Sequence, residues 1–181
     1  MAQNYTRTAI GLHWIMAILI FAAFGLGLIV SDMTFSPTSL KYISYHKWLG
    51  VTVFLFAVLR VIWRLTHAAP ALDAGLSRFE KIAANATHHL LYVLIFAVPL
   101  SGYFYSLAAG FPIVYLGIIP IPSLIGPHPE IAGTLKEVHE IFVYGMAGLV
   151  GLHVAGALKH YVIDRDGTLA RMLPFLKRSD S

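Results

Sequence analysis

KEVHEIFVYGMAGLVGLHVAGALKHY, Lys136–Tyr161, decides the fold. Between Ile141 and Ala157 it carries no charged residue, yet it holds two histidines, His139 and His153. Fourteen residues of α-helix make four turns less about 40°, so both imidazoles project from nearly one face, about 21 Å apart along the axis. Imidazoles inside a lipid-spanning helix are costly unless they are used. Two at different depths on one face point to two stacked cofactors.

The rest of the chain repeats the theme. Each of four long apolar stretches contains or begins with histidine, and spans are expected at about 8–30, 43–65, 88–108 and 138–161. Each is about 20 residues long, as a hydrocarbon core of about 30 Å requires. The chain of 181 residues is 57% hydrophobic and 12% charged, with a mean hydropathy of +0.71. A soluble domain carries about 25% charged residues. The expected fold is an all-α membrane protein, a four-helix transmembrane bundle, formed by residues 1–181 as a single domain. The apolar run from Ala9 to Val30 is too long for the core of a secretory signal, and no A-x-A-like cleavage site follows it, so it is read as the first span and as retained. The loop from Ala109 to Lys136 is rich in proline. Its apolar part, IVYLGIIPIP, is too short and too interrupted to cross a bilayer and is expected at the interface.

With four spans, both termini and the middle loop share a side. That side holds Arg7, Arg60, Arg64, Arg78, Lys81, Lys159, Arg165, Arg171, Lys177 and Arg178, and the other only Lys41, Lys47 and Lys136. Ten against three places both termini in the cytoplasm. Tyr5, Trp14, Tyr42, Trp48, Trp63, Tyr115 and Tyr161 near the span ends suit an aromatic belt. No nucleic-acid partner is expected.

Topology sorts the histidines by depth. His46 and His139 fall near the periplasmic end, His13 and His153 nearer the cytoplasmic end. Each level then takes one imidazole from the fourth span and one from an earlier span, which is what bis-histidine ligation of a b-type haem needs. The chain has no cysteine, which excludes disulfides, iron–sulfur clusters, covalent c-type haem and thiolate zinc sites, and is consistent with two non-covalent haems b. One isolated intramembrane histidine is often a helix–helix hydrogen-bonding residue; four that pair by depth are harder to explain so. His88 or His89 is an alternative to His13 as ligand, although both are read as interfacial. His67 and His128 are read as solvated. Gly145, Gly148, Gly151, Ala155 and Gly156, with Gly11 and Gly50, suit a porphyrin lying against a helix, but small residues also serve helix packing. Arg60 and Arg64 suit haem propionates as well as positive-inside anchoring. Lys47 and Lys136 are placed to draw an anion to the outer level, with Glu137 and Glu140 countering them. His160 and Lys159 are candidates for a quinone or other substrate. No residue is singled out as catalytic.

LHW at Leu12–Trp14, YHKWLG at Tyr45–Gly50, the LRVIWRL run ending the second span, and KEVHE…GLHVAGALKHYVIDRDGTLARMLP over Lys136–Pro174 resemble the prokaryotic cytochrome b561 family. The resemblance covers essentially the whole chain. It implies a four-helix membrane bundle with two b haems, His13 with His153 and His46 with His139, exchanging electrons with quinone. Some stand-alone members of that family look like superoxide:ubiquinone oxidoreductases, which implies superoxide as a small periplasmic donor and ubiquinone as acceptor. Two other readings stand beside it: a haem-bearing anchor ferrying electrons for a separate periplasmic protein, and a non-redox four-helix transporter whose histidines bind a metal or proton.

Overall fold

A computed structural model describes residues 5–71 and 75–176; Lys177 and Arg178, counted in the charge bias, lie outside them. Four helices long and apolar enough to cross a membrane dominate it. They are α1 (Arg7–Ser31), α2 (Pro37–Thr66), α3 (Arg78–Ala108) and α4 (Pro129–Lys159). Each begins where local chemistry favours it. Thr6 accepts the N–H of Ala9 at the start of α1. Ser36 and Ser39 form a capping box before α2, and Pro37 occupies the first turn, where a missing N–H costs nothing. Ser77 and Glu80 form a second capping box at the start of α3.

The helices run well past the apolar spans. α3 starts ten residues before His88, because the Ser77–Glu80 box nucleates it in a segment that is polar but helix-compatible. α4 starts at Pro129, nine residues before Val138. Hydropathy marks what lipid can cover, whereas hydrogen bonding and caps mark where the helix ends.

The IVYLGIIPIP segment is a small antiparallel hairpin. Strands β1 (Val114–Tyr115) and β2 (Ile119–Pro120) pair Val114 with Pro120 and Tyr115 with Ile119. Leu116 and Gly117 turn it, both at positive φ, 54° and 76°. Ile118 N–H donates to Tyr115 O at 3.1 Å across these two left-handed residues, and Ile118 completes a three-residue connection between the paired Tyr115 and Ile119. The hairpin is strapped to α2: Trp48 Nε1 donates to Val114 O at 2.7 Å, and Thr52 Oγ1 lies 3.0 Å from the Tyr115 hydroxyl.

α1 packs chiefly on α2 and α3 chiefly on α4, with α2 on α3 joining the two pairs. The buried cluster takes one residue from each helix: Met16, Ala57, Ile95 and Met146. Their outward neighbours, such as Ile18, Phe21, Leu59 and Ile141, are exposed apolar side chains. That distribution suits lipid as the solvent and would promote aggregation in water. Met146 lies seven residues from both His139 and His153, so the cluster sits midway between them on α4.

Ala57 is fully buried, with 0% exposure. Ala57→Leu should overpack the point where all four helices meet and cost about 1–3 kcal/mol. A lower thermal midpoint of the detergent-solubilised protein reads this, and an unchanged midpoint would contradict the central position given to Ala57.

Candidate functional site: two tiers of histidine

The structure brings the histidines together at two levels. Toward the end of the bundle bearing the hairpin, His46 of α2 faces His139 of α4, with ring centres 6.3 Å apart and planes at 79°. Toward the end bearing the termini, His13 of α1 faces His153 of α4 at 6.1 Å and 62°. All four rings are half-buried. α4 meets α1 and α2 far less closely than it meets α3, so these imidazoles reach across an open seam of the bundle.

At the hairpin tier the rings are anchored by backbone. His46 Nδ1 lies 3.0 Å from Ala23 O, and His139 Nδ1 lies 3.1 Å from Val98 O and 3.0 Å from Ser101 Oγ. Carbonyl oxygens only accept, so both Nδ1 atoms carry the proton and both Nε2 atoms keep a free lone pair. Lys47 is less free than its neighbourhood in the sequence implies. Its ammonium donates to Phe111 O at 3.2 Å and sits 5.5 Å from the Phe111 ring centre, fastening α2 to the loop after α3. Lys136 pairs with Glu140 at 3.3 Å on the surface of α4.

The other tier is built from side chains. Arg60 Nε donates to the Tyr92 hydroxyl at 3.2 Å, its guanidinium lies 5.6 Å from the Tyr92 ring centre, and Nη2 is 3.5 Å from His13 Nδ1. His88 joins this tier from α3, its ring centre 5.2 Å from that of His153. Arg64 lies exposed one turn beyond Arg60. His89 points elsewhere, its Nδ1 2.6 Å from Asn85 O. His67 caps α2 and stacks on Trp63 at 3.8 Å, and His128 precedes α4 and pairs with Glu130 at 2.9 Å.

Beyond α4 the chain makes a π-helical turn, His160–Asp164, closed by Arg165 in the left-handed region. Lys159 Nζ donates to Glu80 Oε1 at 2.6 Å and Asp164 Oδ2 at 2.7 Å. His160 Nδ1 lies 2.9 Å from both Asp164 Oδ2 and Asp166 Oδ2. Neither Lys159 nor His160 is an idle polar group: together they tie α4 to the start of α3 and to the segment that follows. The acidic partners Glu80, Asp164 and Asp166 were not picked out from sequence, because nothing local marks Glu80 and Lys159, 79 residues apart, as neighbours.

These features define a four-helix bundle able to span a membrane, with histidines facing in two tiers, and comparison with known proteins gives its family. The prokaryotic cytochrome b561 family model matches residues 4–175. The chain belongs to the prokaryotic cytochrome b561 family, whose members are b-haem-binding, electron-transferring membrane proteins. It is similar to cytochrome b561 homolog 2 of Escherichia coli (strain K12), 34% identical over 175 residues, 94% of this chain and 92% of that protein. Cytochrome b561 homolog 1 of the same organism is 28% identical over 95% of this chain and 98% of its own length. A probable superoxide oxidase, CybB, of Yersinia pestis is 25% identical over 96% of this chain and 98% of its own length.

Burial works against charge on Asp166, but the hydroxyl and N–H of Thr168 and the His160 imidazole outweigh it, holding the carboxyl below its ordinary value. A depressed carboxyl adds stability that is complete above the unfolded value and lost as pH falls through the folded one. Acidification below about pH 4, the ordinary Asp value, should therefore loosen residues 160–172. Faster amide hydrogen exchange there, reproduced near neutral pH by Asp166→Asn, is the expected readout; equal protection at both pH values would contradict it.

Proposed function

We propose that the chain is a transmembrane di-haem oxidoreductase in the bacterial inner membrane, with both termini cytoplasmic, carrying electrons from a periplasmic donor, superoxide first, to membrane quinone. One observation carries the two-haem part. Two imidazoles that would hold one metal ion between them, each nitrogen about 2.0–2.1 Å from it and each ring centre roughly 1.2 Å further back, would have centres roughly 6–6.5 Å apart. The separations of 6.1 and 6.3 Å fit that arrangement, whereas His88 and His153 at 5.2 Å are too close for it. His13 therefore takes precedence over His88 as the partner of His153.

The surroundings fit a porphyrin as well. A Cβ built on Gly11, Gly50, Gly145, Gly148, Gly151 or Gly156 would meet no other heavy atom within 4 Å. Open space at these positions is compatible with a flat group lying against the helix, as it is with a lipid-facing surface. The reading assigns His46 and His139 to the outer haem and His13 and His153 to the inner one, with Ala23 and Val98 carbonyls orienting the outer ligands. Arg60, held by the Tyr92 hydroxyl, and Arg64 supply donors of the kind a propionate carboxylate takes. When bound, each haem supplies a one-electron carrier. Two superoxide ions give up two electrons and leave as two dioxygen molecules; a quinone takes two electrons and two protons to become quinol. The relative named as a probable superoxide oxidase supports this choice of donor. Lys47 places a fixed cation beside the outer tier, where it attracts a small anion. His160 and Lys159, among the carboxylates at the other end, are placed to serve quinone and its protons.

Purified protein should bind two b haems and oxidise superoxide only when quinone is present. His153→Ala should lose the inner haem and keep the outer, and His88→Ala should keep both; pigment unaltered by His153→Ala, or a colourless native protein, would refute the haem assignment. The chain has no cysteine, so introduced ones report orientation cleanly. Ser123→Cys should react with an impermeant maleimide in intact cells and Ala71→Cys only after permeabilisation; the reverse pattern would invert the topology.

A further inference from the structure

The two histidines of the hairpin tier are held by the same device, built twice on different helices. His46 meets α1 at Ala23 O, 3.0 Å from its Nδ1, and its ring lies over Gly27, four residues on. His139 meets α3 at Val98 O, 3.1 Å from its Nδ1, and its ring lies over Gly102, again four residues on. In a helix the carbonyl of residue i and the side chain of residue i+4 share one face, one turn apart. An imidazole can bond to that carbonyl from a neighbouring helix only if residue i+4 leaves the face bare. A Cβ on Gly27 would stand 3.1 Å from His46 Cε1, and one on Gly102 2.9 Å from His139 Cε1 and 3.2 Å from its Nδ1. The carbonyl aims the ring, and the glycine admits it.

α3 adds a third part. Ser101, 8% exposed, donates its hydroxyl proton to Val98 O at 2.9 Å. Its oxygen, 3.0 Å from His139 Nδ1, is then left to accept. The His139 N–H thus faces two acceptors and the His46 N–H one. Among the described residues no carbonyl takes a ring nitrogen of His13 or His153, and His13 faces the Arg60 guanidinium instead. The device is confined to one tier.

We propose that Gly27 and Gly102, with the Ala23 and Val98 carbonyls, are positioning residues that fix the axial imidazoles of the outer haem, and that Ser101 tunes that haem alone. The proposal rests on the di-haem reading given above. Outer groups that accept a ligand imidazole's spare N–H fix its tautomer and raise its basicity, and losing one typically costs about 10–100-fold in metal affinity. A more basic imidazole favours ferric iron, so removing the Ser101 acceptor should raise the outer haem's potential. Gly102 should tolerate a methyl group less well than Gly27, because its approach is closer and its ring is pinned by two bonds.

The test uses the full-length haem-loaded protein, with haem counted per chain, both midpoint potentials titrated optically, and low-spin signals resolved by electron paramagnetic resonance. His46→Ala identifies the outer signal as the one it removes. Gly102→Ala should lose that signal or weaken haem retention there about 10–100-fold, and Gly27→Ala should do the same to a smaller degree, with the inner haem unchanged. Gly25→Ala, where a Cβ meets nothing within 4 Å, should change neither haem. Ser101→Ala should keep both haems and raise only the outer potential, with Ser101→Thr restoring it; this arm stands even if the glycine variants fail to fold. Unchanged outer signal and potential in all three variants, or an effect falling on the inner haem, would overturn the proposal while leaving the di-haem reading intact. A native protein without haem would remove both.

Discussion

The geometry of α4 constrains everything else. His139, Met146 and His153 follow one another at seven-residue intervals, so they form one stripe that drifts by only about 20° per interval. Met146 is buried in the cluster where all four helices meet, and its position fixes the rotation of α4 about its own axis. With that rotation set, both imidazoles point into the seam toward α1 and α2. A slip of one residue would swing the stripe by about 100° and send both into lipid or into α3. The apolar centre and the polar tiers are therefore one design: the packed middle aims the two ends.

The division of labour among the other helices follows. α3 lies close against α4 and supplies backbone and small groups, Val98 O, Ser101 and Gly102, to the His139 ring. α1 and α2 stand further from α4 and reach it through His13 and His46. The two tiers also differ in kind. The hairpin tier is held by carbonyls and capped by a strapped loop, so its neighbours are largely fixed dipoles. The other tier is surrounded by charged side chains, Arg60 and, further out, the Lys159–Glu80–Asp164 ties. Fixed dipoles suit a site whose ligands must not move.

Fold class was legible because hydropathy over twenty residues is a strong signal in an all-helical membrane chain, and the pairing of histidines by depth followed once the spans were counted. The ends of α3 and α4 were not legible from hydropathy, although the S-x-x-E at Ser77–Glu80 was there to be read as a capping box. The hairpin was hidden because IVYLGIIPIP holds two prolines and lacks the usual Asn-Gly or Asp-Gly turn; Leu116 takes a left-handed conformation that its side chain disfavours. His88 was visible as a histidine, but its approach to His153 depends on how α3 and α4 rotate against each other. The same holds for Gly27 and Gly102. A glycine in an apolar helix reads as packing until the ring that crosses it is seen.

The structure also refines how the outer end would attract an anion. Three lysines lie on that side in sequence, but they are not equivalent. Lys136 is offset by Glu140 at 3.3 Å, and exposed pairs of this kind present little net field. Lys41 lies with its ammonium 5.9 Å from the Tyr45 ring centre, at the solvated start of α2. Lys47 is bound to a neutral carbonyl, which fixes its place without cancelling its charge, and it adjoins His46 in sequence. On the proposed reading, the attraction of a small anionic donor therefore concentrates on Lys47. The same bond joins the Trp48 and Thr52 contacts in fastening the loop after α3 to α2, so one side chain serves both charge and packing.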